Sequence, residues 1–463
     1  MELAKKIQTG SIPKLIFGLS APAILSLLLN AMNTAVDGMF VANGIGTLAL
    51  SAVTVSLGIV LIIQGFSLLI AAGASANAAL KLGKNDKDSA EKIIGNSFTL
   101  GIVLALLLTV CGLLATKPLL MLYGANEENI GLAMEYATVI ISGASAFVLA
   151  QITNNALKGM GYAKRAFVNF MSSIIVNTVL NYVFIFIFKW GMFGAAIATV
   201  IGNVVCVILA VQFLCSKKCM ARLMLKNLRL DKEAVKSILS IGAPAFIMQL
   251  ALSFVSLTFN HVTASWGGTT AVAAYGIMYN IMMVVYMPIM GLGQGIQPIF
   301  GFNYSAEQYD RVKQTLKCSI AYATIFSVFM FAIIEVFSRQ IVNAFGGVGD
   351  IALADMAIPG LRLFGLMIPV VGFQMIGANY FQYIGKIKQS VILSSLRQLI
   401  LLIPFVLIIP SFVGITGIWI ATPMADFIAF IVTVLFIRYE VKEINHQINV
   451  APFFAVGKVA TFI

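Results

Sequence analysis

The sequence predicts an all-α membrane protein: twelve transmembrane helices in two pseudo-symmetric six-helix lobes. Three observations carry that prediction. Hydrophobic residues make up 60% of the chain and charged residues 10%, against about 25% charged in ordinary soluble domains. Apolar runs of spanning length, about 20 residues each, recur through all 463 residues and leave no room for a sizeable soluble domain. Motifs of the first six runs return in order in the last six.

The first set of runs falls near 13–39, 48–79, 94–121, 132–155, 166–188 and 192–215. The second falls near 238–264, 270–300, 316–337, 354–381, 389–410 and 414–437. The first run follows Lys5, Lys6 and Lys14 but continues past Asn30 and Asn33 without a cleavage pattern, so it reads as a retained span. The second and eighth runs are long enough to tilt or kink. Breaks such as Gly18 to Pro22, Gly242 to Pro244 and Pro288 to Gly295 require other protein groups to satisfy the freed backbone.

Charge gives orientation. With the N-terminus inside, cytoplasmic loops hold Lys81, Lys84, Lys87 and Lys92, then Lys158, Lys164 and Arg165. Further on come Arg311, Lys313 and Lys317, then Lys386, Lys388 and Arg397. The other side keeps Lys117, Lys189, Arg339 and Arg362, so both termini are expected in the cytoplasm of a plasma-membrane protein. The reading divides the chain into an N-terminal lobe (1–215), a basic amphipathic cytoplasmic linker (216–236), a C-terminal lobe (237–437) and a cytoplasmic tail (438–463). The linker is expected along the anionic inner leaflet, and the apolar end of the tail, 451–463, either rests on the membrane or is disordered. The net charge of +12 is scattered between apolar runs and does not form a nucleic-acid patch.

The repeat is specific. Ser20-Ala-Pro22-Ala returns as Gly242-Ala-Pro244-Ala, an offset of 222 residues. The turn from Asn155 to Lys164 returns from Asn379 to Lys388, and Gly191 to Thr199 returns as Gly414 to Thr422, at offsets of 224 and 223. Six spans per half, an even number, set both halves the same way up and predict a pseudo-two-fold axis along the membrane normal.

Ionisable side chains inside spans cost about 2.5–3.5 kcal/mol on insertion scales and are functional candidates by default. Asn30, Asn33 and Asp37 share one face of the first span at i, i+3, i+7 spacing. Asn169, Ser173, Asn177 and Asn181 repeat every four residues in the fifth span. Gln151, Asn154 and Asn155 end the fourth span, and Thr199 and Asn203 lie in the sixth. Single amides and hydroxyls serve equally well as interhelical glue, but Asp37 is a lone carboxylate among neutral amides, which a proton or Na⁺ would relieve. In the second half, Arg397 and Asp426 are positioned to pair, as structure or as substrate or proton handling, and Gln249, Ser253 and Asn260 stripe the seventh span. Met278, Met282, Met283, Tyr279 and Tyr286 are candidates to line a cavity that re-packs around apolar ligands, with ring faces for cations.

Together the Asp37 segment, the Lys158-Gly-Met-Gly161 turn, the Asn177 and Asn181 stripe, the Gly194-Ala-Ala-Ile-Ala198-Thr199 stretch and the second-half repeat resemble the MATE (multidrug and toxic compound extrusion) family, nearest its DinF/MepA-like branch. The resemblance covers nearly the whole chain. It implies two six-helix lobes in a V-shape and export of amphipathic, often cationic small molecules by antiport with H⁺ or Na⁺ through alternating access. It implies no cofactor, with membrane lipid as surroundings and a monomer as the working unit. Carried over to this chain, the ion-coupling residues are Asp37, Asn177, Asn181 and Thr199, with Asn154 nearby and no metal beyond Na⁺ at Asp37. Asn181 stands where the family usually has Asp, which weakens the case for Na⁺. The seventh span lacks the acidic residue of the NorM branch, so coupling is expected in the N-terminal lobe.

Two rival readings remain within transport: a flippase for lipid-linked precursors, which would want several cavity cations where Arg397 stands alone, and an uncoupled facilitator, which would not need Asp37. An enzyme is not expected, since His261 and His446 are the only histidines and neither HExxH nor GxSxG occurs. Cys111, Cys206, Cys215, Cys219 and Cys318 form no disulfide framework or metal-site spacing.

Overall fold

The computed structural model describes residues 2–347 and 351–459, side chains excepted at 346–347, 351 and 447–459. The apolar end of the tail, 451–463, therefore lies outside the described side chains. The described chain is helical. In order it runs α1 (Glu2–Thr9), α2 (Ile12–Gly44), α3 (Thr47–Gly83), α4 (Lys87–Leu122), α5 (Ile130–Ser142), α6 (Ala144–Gly159), α7 (Ala163–Tyr182) and α8 (Gly191–Cys215). It continues with α9 (Lys232–Ser305), α10 (Tyr309–Val342), α11 (Ile351–Gly365), α12 (Ile368–Tyr383), α13 (Ile387–Ser395), α14 (Ile403–Ile408), α15 (Pro410–Val413) and α16 (Ile415–Val459).

Among the described residues nine helical stretches are long and apolar enough to cross a membrane, and two bent pairs bring the number to eleven. The pairs are α5 with α6, bent by 51°, and α11 with α12, bent by 49°. One of the nine, α9, has 74 residues, which at 1.5 Å per residue is far longer than a bilayer core of about 30 Å. It breaks at Gly268 (φ 63°, ψ −157°), a conformation essentially restricted to glycine. Counting its two arms separately gives twelve spans. The fold is thus a multi-pass all-α membrane protein. Its outer face is what lipid requires: Leu106, Leu107, Val110 and Leu114 of α4 stand exposed along one side of the helix.

The chain divides into two compact units, Met1–Lys6 with Gly18–Phe246, and Ile7–Phe17 with Ile247–Ile463. In the first, Ile59, Ile63, Ile93, Leu120, Ile141 and Val148 belong to one buried core joining α3 to α6. Two glycines set its closest backbone approach: a Cβ at Gly73 would fall on the carbonyl of Ile238, and one at Gly242 on the carbonyl of Leu69. Small residues at such crossings replace side-chain packing with backbone contact. This unit also holds the linker. Asn96 of α4 donates to the carbonyls of Asn227 (3.2 Å) and Arg229 (3.3 Å) and accepts from the N–H of Asp231 (2.6 Å). Lys92 pairs with Asp231 at 2.8 Å, and Thr99 donates to the Leu228 carbonyl at 2.7 Å.

In the second unit Phe259, Tyr275, Met278, Met282, Leu361 and Trp419 share a buried core. Arg311 holds the end of α1 and the turn that leads into α2. Its Nη2 donates to the carbonyls of Ile7 (3.0 Å) and Gly10 (2.7 Å), and its Nε to Asn303 Oδ1 (2.9 Å). At the end of α12, Lys386 reaches Glu440 (2.6 Å) and Glu443 (2.9 Å), and Tyr380 donates to Glu440 at 3.1 Å.

Candidate functional site

The polar faces of α2 and α7 meet in the first unit. Helical spacing places Asn33 one turn before Asp37, and Asn33 Nδ2 donates to Asp37 Oδ2 at 3.0 Å. From α7, Asn181 Nδ2 donates to Asp37 Oδ1 at 2.8 Å. Asn177, one turn earlier, joins them in the amide orientation that satisfies both its ends. Its Nδ2 then donates to Asp37 Oδ1 at 3.0 Å and Asn33 Oδ1 at 3.3 Å, while its Oδ1 lies 3.3 Å from both the hydroxyl and the backbone N–H of Thr199. Thr178 adds a 3.4 Å bond to Asn33 Oδ1.

Three side-chain N–H donors thus converge on one carboxylate, and no ion pair among the described residues includes it. Neutral donors stabilise a carboxylate without cancelling its charge, so Asp37 remains able to exchange a proton or a small cation. Asn177 and Asn181 are both buried, and Asn181 Oδ1 has no hydrogen-bond partner. Directly after Asn181 and Tyr182 the helix widens into a π-helical turn, Val183–Ile187, a distortion that often accompanies function.

Tyr136 of α5, which the sequence did not single out, lies beside the cluster, near Thr199 and Asp37. A lone Tyr in an apolar run carries no spacing signal; only the packing of α5 against α8 brings it here.

Other expected residues are more dispersed. Asn154 donates to the Ala166 carbonyl (3.1 Å), tying α6 to α7. Asn155 bonds back to Gln151 (2.8 Å), and Asn203 to the Thr199 carbonyl (3.0 Å). Ser173 is buried where α7 meets Gly202 of α8, Asn169 is fully buried one turn before it, and Asn30 is exposed. In the second unit the Ser253 hydroxyl donates to the Gln249 carbonyl one turn before it (3.4 Å). Met278 and Met282 are buried in the core, whereas Tyr279 is 36% exposed.

The Arg397 and Asp426 pair does form. Arg397 Nε donates to Asp426 Oδ1 at 2.5 Å and Nη2 to Oδ2 at 3.5 Å, with Cζ 5.8 Å from the ring centre of Tyr286. At the position that the 222-residue offset pairs with Asp37, the second half has Phe259, which is buried and stacked on Tyr275 at 4.8 Å. Elsewhere in the unit, Glu335 pairs with Arg362 at 3.6 Å.

Outside the spans, titration follows simple partners. Hydrogen bonds from the side chain and backbone of Ser89 hold the Asp86 carboxyl below its usual range, and Lys92 does the same for Asp231. Burial pushes the Cys219 thiol up to about 12.

Comparison with known proteins agrees with this architecture. The sequence matches the MatE family over residues 22–183 and 244–408, two blocks that begin at Pro22 and Pro244 of the internal repeat. The multidrug export protein MepA of Staphylococcus saprophyticus is 25% identical over 437 residues, covering 93% of this chain and 94% of its own. The protein of the same name from Staphylococcus aureus strain MSSA476 is 26% identical over 86% of this chain and 87% of its own. Among solved structures, a MATE protein in the bent conformation superposes with a TM-score of 0.90 at 26% identity, over 96% of this chain and 98% of that one. A MOP superfamily transporter from Pyrococcus furiosus Vc1, whose reversed binding-pocket polarity suggests a different function, superposes with a TM-score of 0.88 at 26% identity, over 95% and 98%.

Proposed function

The chain belongs to the MatE family, and from that premise we propose that it is a secondary active multidrug exporter driven by inward H⁺. Its substrates are amphipathic, often cationic small molecules, and it works as a monomer in the plasma membrane with both termini in the cytoplasm. The observation that carries the reading is Asp37, a single span carboxylate held by Asn33, Asn177 and Asn181 with no ion-pair partner among the described residues.

In the proposed cycle Asp37 is protonated from outside. Loss of its charge weakens the charge-assisted bonds from Asn177 and Asn181 that join α2 to α7. Helix α2 rearranges, and drug is released outward. Deprotonation on the cytoplasmic side, coupled to drug binding, resets the site. Alternating access of this kind needs a two-state element whose balance both ligands bias, and in this reading the bonded pair α2 and α7 is that element. Na⁺ coupling is the second reading, favoured by the buried, unpartnered Oδ1 of Asn181, an oxygen of the kind that hard cations take. The rival flippase reading is weakened by Arg397, whose charge is committed to Asp426.

The test is ethidium efflux from proteoliposomes under a pH gradient or a Na⁺ gradient alone. Efflux is expected under the pH gradient and should fall at least ten-fold in Asp37→Asn, which keeps the shape and loses the ionisable group. Full gradient-driven efflux by that variant would refute the mechanism, and efflux under the Na⁺ gradient alone would select the second reading.

A further inference from the structure

Between α12, the π-helical stretch Leu396–Leu402 that follows α13, and α16, the second unit forms a partly open cavity of about 60 Å³. Gln374, Gln398 and Arg397 line it, with Met248 and Met375 among its apolar walls. Two features mark it as a built polar site. Gln374 and Gln398 are 5% and 9% exposed, and the Oε1 atom of each is buried without a hydrogen-bond partner. Leaving a buried acceptor unmatched costs free energy that a ligand donor would recover. The Gln374 amide nitrogen already donates one of its two N–H groups to the Asp426 carbonyl, so the oxygen is the atom of that side chain left wholly unmatched.

Charge selects the ligand. Arg397 and Asp426 neutralise one another beside the cavity, so the site carries no net charge, and a cationic head group would meet a buried guanidinium. Two lining glutamines whose amide oxygens lack a partner, with Met248 and Met375 beside them, fit an uncharged N–H donor. The volume is far below the roughly 300–1,000 Å³ of a drug-sized pocket, so it admits a substituent and not a whole molecule. We propose that this cavity is a substrate subsite for an uncharged N–H donor, such as an aromatic primary amine, carried on a larger apolar or cationic body. Its use in export rests on the function proposed above. The subsite itself is a statement about binding.

Ethidium, which bears two aromatic amino groups, and tetraphenylphosphonium, a cation with no N–H, separate the two ideas. Equilibrium binding of each to the purified full-length protein is measured for wild type, Gln398→Met and Gln374→Met, with thermal unfolding recorded alongside. Each variant removes an acceptor at similar volume. Ethidium affinity is expected to fall about five- to ten-fold per variant, with tetraphenylphosphonium affinity unchanged within two-fold. Equal losses for both ligands, or no loss for ethidium, would overturn the subsite. Should Gln374→Met unfold for want of its bond to Asp426, Gln398→Met decides alone. If the binding pattern holds but neither compound is exported, the transport reading fails and the subsite stands.

Discussion

Asn181 Nδ2 donates to Asp37 Oδ1 at 2.8 Å, so an uncharged amide from α7 occupies the place nearest the one carboxylate of the first unit's polar cluster. Replacing that amide by a second carboxylate puts two like charges within hydrogen-bonding distance, an arrangement that calls for a shared proton or a bridging cation. Asn181→Asp should therefore raise the response of ethidium efflux to an imposed Na⁺ gradient several-fold over wild type. An unchanged Na⁺ response would mean that position 181 has no part in ion choice.

The glycine crossing of α3 and α9 leaves no room for a methyl group. Gly242→Ala must push the Leu69 carbonyl aside, and overpacking of this kind costs about 1–3 kcal/mol. The expected outcome is a lower Tm and a reduced yield of folded protein. Gly18→Ala is the control, because a Cβ there meets no atom within 4 Å.

Asn96 holds the linker through both ends of its amide. Asn96→Ala should free the segment around Lys226 and Arg229 and speed its cleavage by trypsin at neutral pH. The Asp231 carboxyl is held below its ordinary range by Lys92 and by the Ala234 N–H. A depressed folded-state pKa gives stability that is present above the unfolded value, near 3.9, and is lost as pH falls through the folded value. Hydrogen exchange in 227–235 should therefore stay flat from pH 7 to 5 once corrected for intrinsic rates, and loosen only below about pH 4.

For the buried pair in the second unit, removing one partner strands the other. Asp426→Asn leaves the Arg397 charge uncompensated and should cost about 3–5 kcal/mol, whereas the double replacement Arg397→Met, Asp426→Leu should restore most of that loss. Thermal unfolding of the single and double variants measures it. Equal losses in both would show that Arg397 has a role beyond balancing Asp426.

Where periodicity carries the signal, the sequence was informative. The four-residue spacing of Asn169 to Asn181 and the i, i+4 step from Asn33 to Asp37 each predict a helix face, and α2 and α7 bring Asn33, Asp37, Asn177 and Asn181 into one cluster. The repeat offset likewise anticipated where the two matched blocks begin. Tyr136 stayed hidden because its place beside the cluster depends on how α5 packs against α8, and nothing in its neighbours marks it. The hold of Asn96 on the linker joins residues 131 to 135 positions apart, which no local pattern reveals. Met278 and Tyr279 show the converse limit: adjacent apolar residues in one run, one at 0% and the other at 36% exposure. Composition that suits a membrane does not distinguish core from cavity.

The pairing of Asp37 in one half with Phe259 in the other has an electrical consequence. Under the proposed antiport a single carboxylate carries at most one ion per turnover. Exporting a monovalent cation against one entering proton moves no net charge, so membrane voltage does no work on that exchange and the pH gradient alone drives it. An uncharged substrate is different: each turnover then brings one positive charge inward, and voltage adds about 2.3 kcal/mol per 100 mV if the proton crosses the whole field. One protein would thus be electrically silent with some substrates and current-carrying with others.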